Sequence, residues 1–213
     1  MLMMKLSAPL TRALLSVVAI LLVVIVTLRI KQHYSGATSP SFAVAALYPQ
    51  HRLLPPFVLH DGDGHVFDRN SLKGRYTFVF FGYTQCPDVC STTFTELTHV
   101  ARALADLPKN LQPAVVFISV DPDRDSPAML KNYANQFNAA FIGITGGNYA
   151  LTMLTQALGA HYALELPVDG NYSVTHSASL FLIDPSAALL ASFPAPHAAK
   201  SIAADYRKLV ATP

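Results

Sequence analysis

Apolar residues in this chain come either in short runs or in one-sided repeats, and the two spacings alternate. Tyr76–Phe81, Ala114–Val120, Phe141–Ile144 and Ser179–Ile183 are short apolar runs bounded by turn residues. They predict buried strands, with Leu189–Phe193 as the hairpin partner of the last. Between them the apolar positions recur at helical spacing. Phe94, Leu97, Ala101 and Leu104 mark one face of a helix running from Val89 to Leu107. Ser126-Pro127 supplies an N-cap and a first helical position for a helix ending near Phe137. Asn148–Leu158 predicts a helix stopped by Gly159, and His197–Val210 a closing helix. Upstream, the strands Phe57–Leu59 and His65–Phe67 flank Asp61-Gly62-Asp63-Gly64, a hairpin turn signal. Ser71–Gly74 turns the chain into the Tyr76 strand. Leu164–Thr175 reads as a loop or hairpin around Asp169-Gly170. Strands alternating with helices, closed by a hairpin and a helix, predict an α/β domain with a mixed central sheet of the thioredoxin type.

The N-terminus breaks this pattern. Ala13–Leu28 carries no charge on any face. As a helix it spans roughly 24 Å, against a hydrocarbon core of about 30 Å. Leu10 and Ile30 extend it, and Arg12, Arg29 and Lys31 are spaced to snorkel. Residues 1–34 therefore predict one N-terminal transmembrane anchor. A signal peptide cut after Ala37 competes, but basic residues directly after the apolar run argue against cleavage. Lys5 and Arg12 balance Arg29 and Lys31, so charge leaves the orientation open. Ser35–Ser41 is small and polar, and Phe42–Leu54 has no clear period. Residues 35–54 are expected to be a linker, and 55–213 the globular domain.

Composition narrows the function. With 52% hydrophobic and 13% charged residues, the chain has material for a filled core and a membrane segment and does not read as disordered. A net charge of +2 and the lack of any Lys/Arg cluster along a predicted helix give no nucleic-acid surface. The two cysteines are too few for a disulfide scaffold. They stand close together in FVFFGYTQCPDVCS, at the end of a buried strand. Pro87 predicts that a helix starts there, with Asp88 complementing its dipole in the first turn. On a regular helix Cys86 and Cys90 lie about one turn apart, a rise of roughly 6 Å, with both sulfurs on one side. That geometry suits two thiolates on one soft metal ion, or a disulfide. A helix N-terminus lowers thiol pKa and assists both. A purely structural pair is the plainer reading, but Phe, Val and Leu already fill the apolar faces nearby.

Two thiolates leave most metal ions short of ligands, so a distant imidazole is sought. Of the eight histidines, His176 immediately precedes a buried strand, in the loop that a thioredoxin fold brings over the active-site helix. Spacing alone makes it one candidate among several. Asp121, Asp123, Arg124 and Asp125 form a charged loop after a core strand. Pairing of Arg124 with a nearby carboxylate is expected there, with support of the site or partner docking as the sharper alternative.

FGYTQCPDVCS, VVFISVDPDRDS and NYSVTHSASLFLIDP, in this order, resemble the SCO/SenC family of membrane-anchored copper-binding proteins. The resemblance covers about Tyr48 to Phe193. It implies a thioredoxin-like fold and copper, as Cu(I) or Cu(II), held by Cys86, Cys90 and His176. It also implies a metallochaperone, not an enzyme, that serves the copper A centre of cytochrome c oxidase, with subunit II as the client. With the anchor, and without the Arg- and Ser-rich look of a mitochondrial transit peptide, the expected place is a bacterial inner membrane with the domain in the periplasm. Ser91 stands where members usually have Pro, Thr175 where an acid usually precedes the histidine, and Asp184-Pro185-Ser186-Ala187 where an Asp-Gly turn is usual. The competing class is a thiol–disulfide oxidoreductase, with Cys86 attacking and Cys90 resolving. The CxxxC spacing and Ala178, where thioredoxins usually have Pro, weigh against that as the sole role. A peroxidase reading lacks the Thr-x-x-Cys setting, since Tyr83 occupies that position.

Overall fold

Two strands whose every side chain is buried, Thr77–Gly82 and Ala114–Ser119, decide how the rest of the domain packs. The computed structural model describes residues 8–34, 41–165 and 172–211, with side chains in the first helix at positions 15 and 17–29. The chain divides into two units, Met1–Ser41 and Phe42–Pro213. The first contains one helix, α1 (Ala8–Tyr34). The second runs β1 (Ala46–Leu53), β2 (Val58–Asp61), β3 (Val66–Asp68), β4 (Thr77–Gly82), α2 (Val89–Ala103), β5 (Ala114–Ser119), α3 (Pro127–Phe137), β6 (Ile142–Thr145), α4 (Asn148–Leu158), β7 (Tyr162–Leu164), β8 (Val174–His176), β9 (Leu180–Ile183), β10 (Ala188–Phe193) and α5 (Ala199–Ala211).

Eight of these strands form one sheet in the order β1-β10-β9-β4-β5-β6-β2-β3. β5 runs parallel to β4 and to β6, and the other pairs are antiparallel, so the sheet is mixed. Alternation along β4 splits its side chains between two cores. Phe78 and Phe80 pack with Phe94 and Leu97 of α2, Leu130 of α3, and Ile202 and Tyr206 of α5. Val79 and Phe81 face Leu151, Leu154 and Leu158 of α4 on the other side. Helices thus cover both faces, as strands buried on both sides require. The predicted signals place α3 and α4 correctly. Ser126 Oγ accepts from the Met129 N–H at 3.3 Å with Pro127 behind it, and Gly159 ends α4 at φ 72°.

The structure differs from the expected linker. Ala46–Leu53 pairs with β10, from Ala46 opposite Ser192 to Leu53 opposite Ala188. Just ahead of it, the N–H groups of Ala43, Val44 and Ala45 donate to the fully buried Asp205 carboxylate at 3.0, 2.8 and 3.0 Å. The folded unit therefore starts at Phe42 and not at Pro55. This segment is held by a strand edge and a carboxylate more than 130 residues away, and neither leaves a periodic trace in the local sequence.

The expected loop or hairpin over Leu164–Thr175 has paired flanks. β7 and β8 form a separate two-stranded ribbon, with Tyr162 opposite His176. Its tip, Asp169-Gly170, lies outside the described residues. The unusual turn before β10 is organised by Asp184, which accepts from the Ser186 and Ala188 N–H groups at 2.8 and 3.0 Å. In α1 the described apolar side chains are exposed. Among the described residues no helix is long and apolar enough to cross a membrane, so the expected transmembrane anchor finds no support in the structure.

Candidate metal centre

β4 ends at Gly82, and the absence of a side chain there matters. A Cβ at this position would lie 2.4 Å from Cys90 Sγ and 2.9 Å from the Phe117 ring. Only glycine lets the start of α2 close onto the strand end. The chain then turns through Tyr83–Cys86, with the Cys86 N–H donating to the Tyr83 carbonyl at 3.2 Å. α2 begins at Val89, where the apolar spacing placed it and two residues past the start that Pro87 suggested. Cys90 therefore sits in the first helical turn, while Cys86 precedes the helix. The turn, and not helical periodicity, brings the sulfurs together. Asp88 is the N-cap residue, just ahead of the first turn expected for it, and its side chain makes no capping bond. Ser91 uses its hydroxyl locally, donating to the Asp88 carbonyl at 3.0 Å.

His176, at the end of β8, reaches this pair from 86 residues away along the chain. Its Nε2 lies 3.9 Å from Cys86 Sγ and 3.8 Å from Cys90 Sγ, and both thiols are free. The three donor atoms all fall within 4.8 Å of one another. Nδ1 faces the Ser177 carbonyl oxygen at 3.2 Å. With Nδ1–H donating there, Nε2 turns its lone pair toward the sulfurs. The Tyr83 ring stands edge-on to the imidazole, centroids 6.1 Å apart.

Cys90 is 1% exposed, whereas Cys86 is half-buried. The neighbouring Cys90 thiol, with His176, draws the Cys86 thiol far below its ordinary range. The neighbouring Cys86, together with burial, pushes the Cys90 thiol upward.

The charged loop after β5 supports this arrangement. Asp125 is fully buried and accepts from the Thr84 N–H at 2.9 Å, the Thr84 hydroxyl at 2.5 Å and the Ser119 hydroxyl at 2.6 Å. It fixes the backbone two residues before Cys86. Arg124 pairs with Asp121, as expected. The bonds from Thr84 to Asp125 and from Tyr172 to Asp121 had no signal in the sequence, because they join segments 41 and 51 residues apart. Among the described residues no other histidine joins the site. His197 Nε2–H donates to the Ala178 carbonyl at 2.8 Å, and burial holds that ring below its usual pKa. His99 faces Glu96 on the exposed side of α2. Asp61, Asp63 and His65 also cluster, but on a surface turn where Asp63 is paired to Lys131 at 2.6 Å.

Two thiols and an imidazole make a soft, three-donor set, which suits a monovalent soft ion. A closed structural zinc site has four protein ligands, and the described residues offer only three here. A thioredoxin-like domain with a Cys–Cys–His donor set at the carboxyl end of a central strand defines a class of metal-handling proteins.

Within that class the chain belongs to the SCO1/SenC family, which it matches over residues 45–211. The match begins at β1, ahead of Pro55, in keeping with the folded start of the domain. A putative copper-binding protein of Stutzerimonas stutzeri is 39% identical over 151 residues, covering 70% of this chain and 73% of that protein. Among solved structures, Bradyrhizobium japonicum ScoI with copper bound is 33% identical at a TM-score of 0.65, covering 74% of this chain and 99% of that one. Arabidopsis thaliana ScoI with copper bound is 26% identical at a TM-score of 0.70, covering 76% and 99%.

Proposed function

We propose that this protein is a copper metallochaperone. Its domain carries one copper ion on Cys86, Cys90 and His176 and passes it to the copper A site of cytochrome c oxidase, with subunit II as the client. The observation that carries this reading is the convergence of His176 Nε2 on both sulfurs. Relatives that bind copper support it. The donor set favours Cu(I) as the travelling form, with Cu(II) also accommodated. Transfer proceeds by ligand exchange. An incoming client thiolate meets the ion from the side of half-buried Cys86, and the buried Cys90 is the last protein ligand to let go. The uncharged run Ala13–Leu28 supports a single-pass anchor in a bacterial inner membrane, with the domain in the periplasm. Retention in alkali-washed membranes tests that part.

A second reading draws on the two free thiols, Cys86 half-buried and open to a client, Cys90 buried behind it. The Cys86 thiolate attacks a client disulfide and forms a mixed disulfide, expelling one client thiolate. Cys90, once deprotonated, attacks Cys86 Sγ and frees the second. The client gains two electrons and the Cys86–Cys90 pair is oxidised. A Cu(I) competition titration on the reduced domain, wild type beside His176→Ala, separates the readings. A marked loss of affinity with intact disulfide exchange supports the metallochaperone. Unchanged affinity removes His176 from the site and leaves the exchanger.

A further inference from the structure

The loop between β5 and α3 holds both halves of the metal centre, and Arg124 reaches both, its Nη1 also donating to Gln85 Oε1 at 3.4 Å beside Cys86. Toward the cysteines the tie is Asp125 to Thr84. Toward the histidine it is Tyr172, four residues ahead of His176. Asp121 is 2% exposed and accepts from the Tyr172 hydroxyl at 2.6 Å and from Arg124 Nε at 2.5 Å. Arg124 Nη1 donates to the Tyr172 carbonyl oxygen at 2.8 Å. The guanidinium carbon also lies 3.7 Å from the Tyr172 ring centroid and 5.5 Å from that of Tyr83. One arginine thus grips Tyr172 by its backbone and its ring face, while an aspartate grips its hydroxyl. The acceptor is itself anchored, since the Asp121 N–H donates to Ser119 Oγ at 3.1 Å.

This grip matters because of where His176 is mounted. Its strand is three residues long and pairs with β7 alone, outside the eight-stranded sheet. The ladder that holds β4 therefore does not extend to the imidazole. We propose that Tyr172, clamped by Asp121 and Arg124, is a positioning residue that sets how firmly His176 is presented to the two sulfurs. It thereby controls how readily the imidazole lets go of the ion during transfer. This rests on the metal-site reading above. Arg124 is suited to the task because its planar fork donates to two acceptors while its face stacks on a ring, and lysine can do only part of this.

The test is a double-mutant cycle in Cu(I) affinity on the reduced protein, using wild type, Tyr172→Phe, His176→Ala and the double variant. Tyr172→Phe deletes one hydroxyl and leaves Asp121 with Arg124 as partner, so the fold has little reason to fail. Loss of a hydrogen bond to a carboxylate predicts about tenfold weaker copper binding in the wild-type background. In the His176→Ala background the same change is expected to cost less than about twofold, because the ligand it positions is gone. Copper dissociation is expected to quicken in parallel, and the nitrogen coupling in the Cu(II) electron paramagnetic resonance spectrum to weaken. Arg124→Lys repeats the test from the other side of the clamp, should Tyr172→Phe prove unstable on melting. Equal losses in both backgrounds, or no loss in either, overturn the proposal. If His176→Ala binds copper as wild type does, the site reading itself fails and the clamp has nothing to position. If copper binding depends on His176 but not on Tyr172 or Arg124, only the clamp fails.

Discussion

The two halves of the metal centre stand on different foundations. The cysteines are held by the middle of the molecule. β4 is buried at all six positions, Cys90 packs under Gly82 and Phe117, and Asp125 fixes the loop between them. The histidine is held at the margin. β8 belongs to a two-stranded ribbon in which Val174 is the one buried side chain, and polar contacts reaching in from Asp121 and Arg124 steady it. The dithiol half gains its rigidity from apolar burial and close packing. The imidazole half depends on a few directional bonds, each worth little alone. The proposed carrier role fits that asymmetry, since one ligand can move without disturbing the core.

Attacking the firm half first should give the largest effect. Cys86→Ser or Cys90→Ser removes a thiolate from a three-donor site, and Cu(I) affinity is expected to fall by about a thousandfold or more in chelator competition. His176→Ala attacks the marginal half, with an expected loss of roughly a hundredfold and a melting temperature near that of wild type, since few core contacts are cut. Gly82→Ala sharpens the contrast. Its new Cβ would stand 2.4 Å from Cys90 Sγ and must push sulfur or strand aside. A cost of about 1–3 kcal/mol in denaturant unfolding is expected, with copper affinity lowered as well.

The smallest effect belongs to a residue in neither half. Burial raises the pKa of Asp205, but the N–H groups of Ala43, Val44 and Ala45, with Lys208, more than offset this and hold its carboxyl below the ordinary range. A folded-state pKa below the unfolded one adds stability that is complete above about pH 4 and is lost as pH falls through the folded value. Asp205→Asn should cost about 1–2 kcal/mol at neutral pH and flatten the acid limb of the stability curve. Copper affinity should not change. A change there would mean that the two halves are less separable than their packing indicates.

Much of this was legible along the chain. The strands β4, β5 and β9 announce themselves because burial on both faces demands unbroken apolar runs, and α3 and α4 because their ends carry Ser126-Pro127 and Gly159. The thiol pair was legible as a site, since its members are near neighbours and nothing else in the chain competes with them. What failed were features whose partners lie far off. β1 exists because β10 offers an edge and Asp205 offers oxygens, so its residues needed no period of their own. Thr84 and Tyr172 looked like ordinary loop residues until the fold joined them to Asp125, Asp121 and Arg124.

The amino-acid order alone determined which segments are buried, where α3 and α4 begin and end, and that Cys86 and Cys90 work as a pair, because these follow from local spacing and elementary solvation. The motif resemblance already implied His176; only the tertiary structure decided how it reaches the sulfurs, that the domain opens at Phe42, and that residues 121–125 bind the halves of the site together. Contacts across such separations depend on how sheet and loops close in space, and no local pattern encodes that closure.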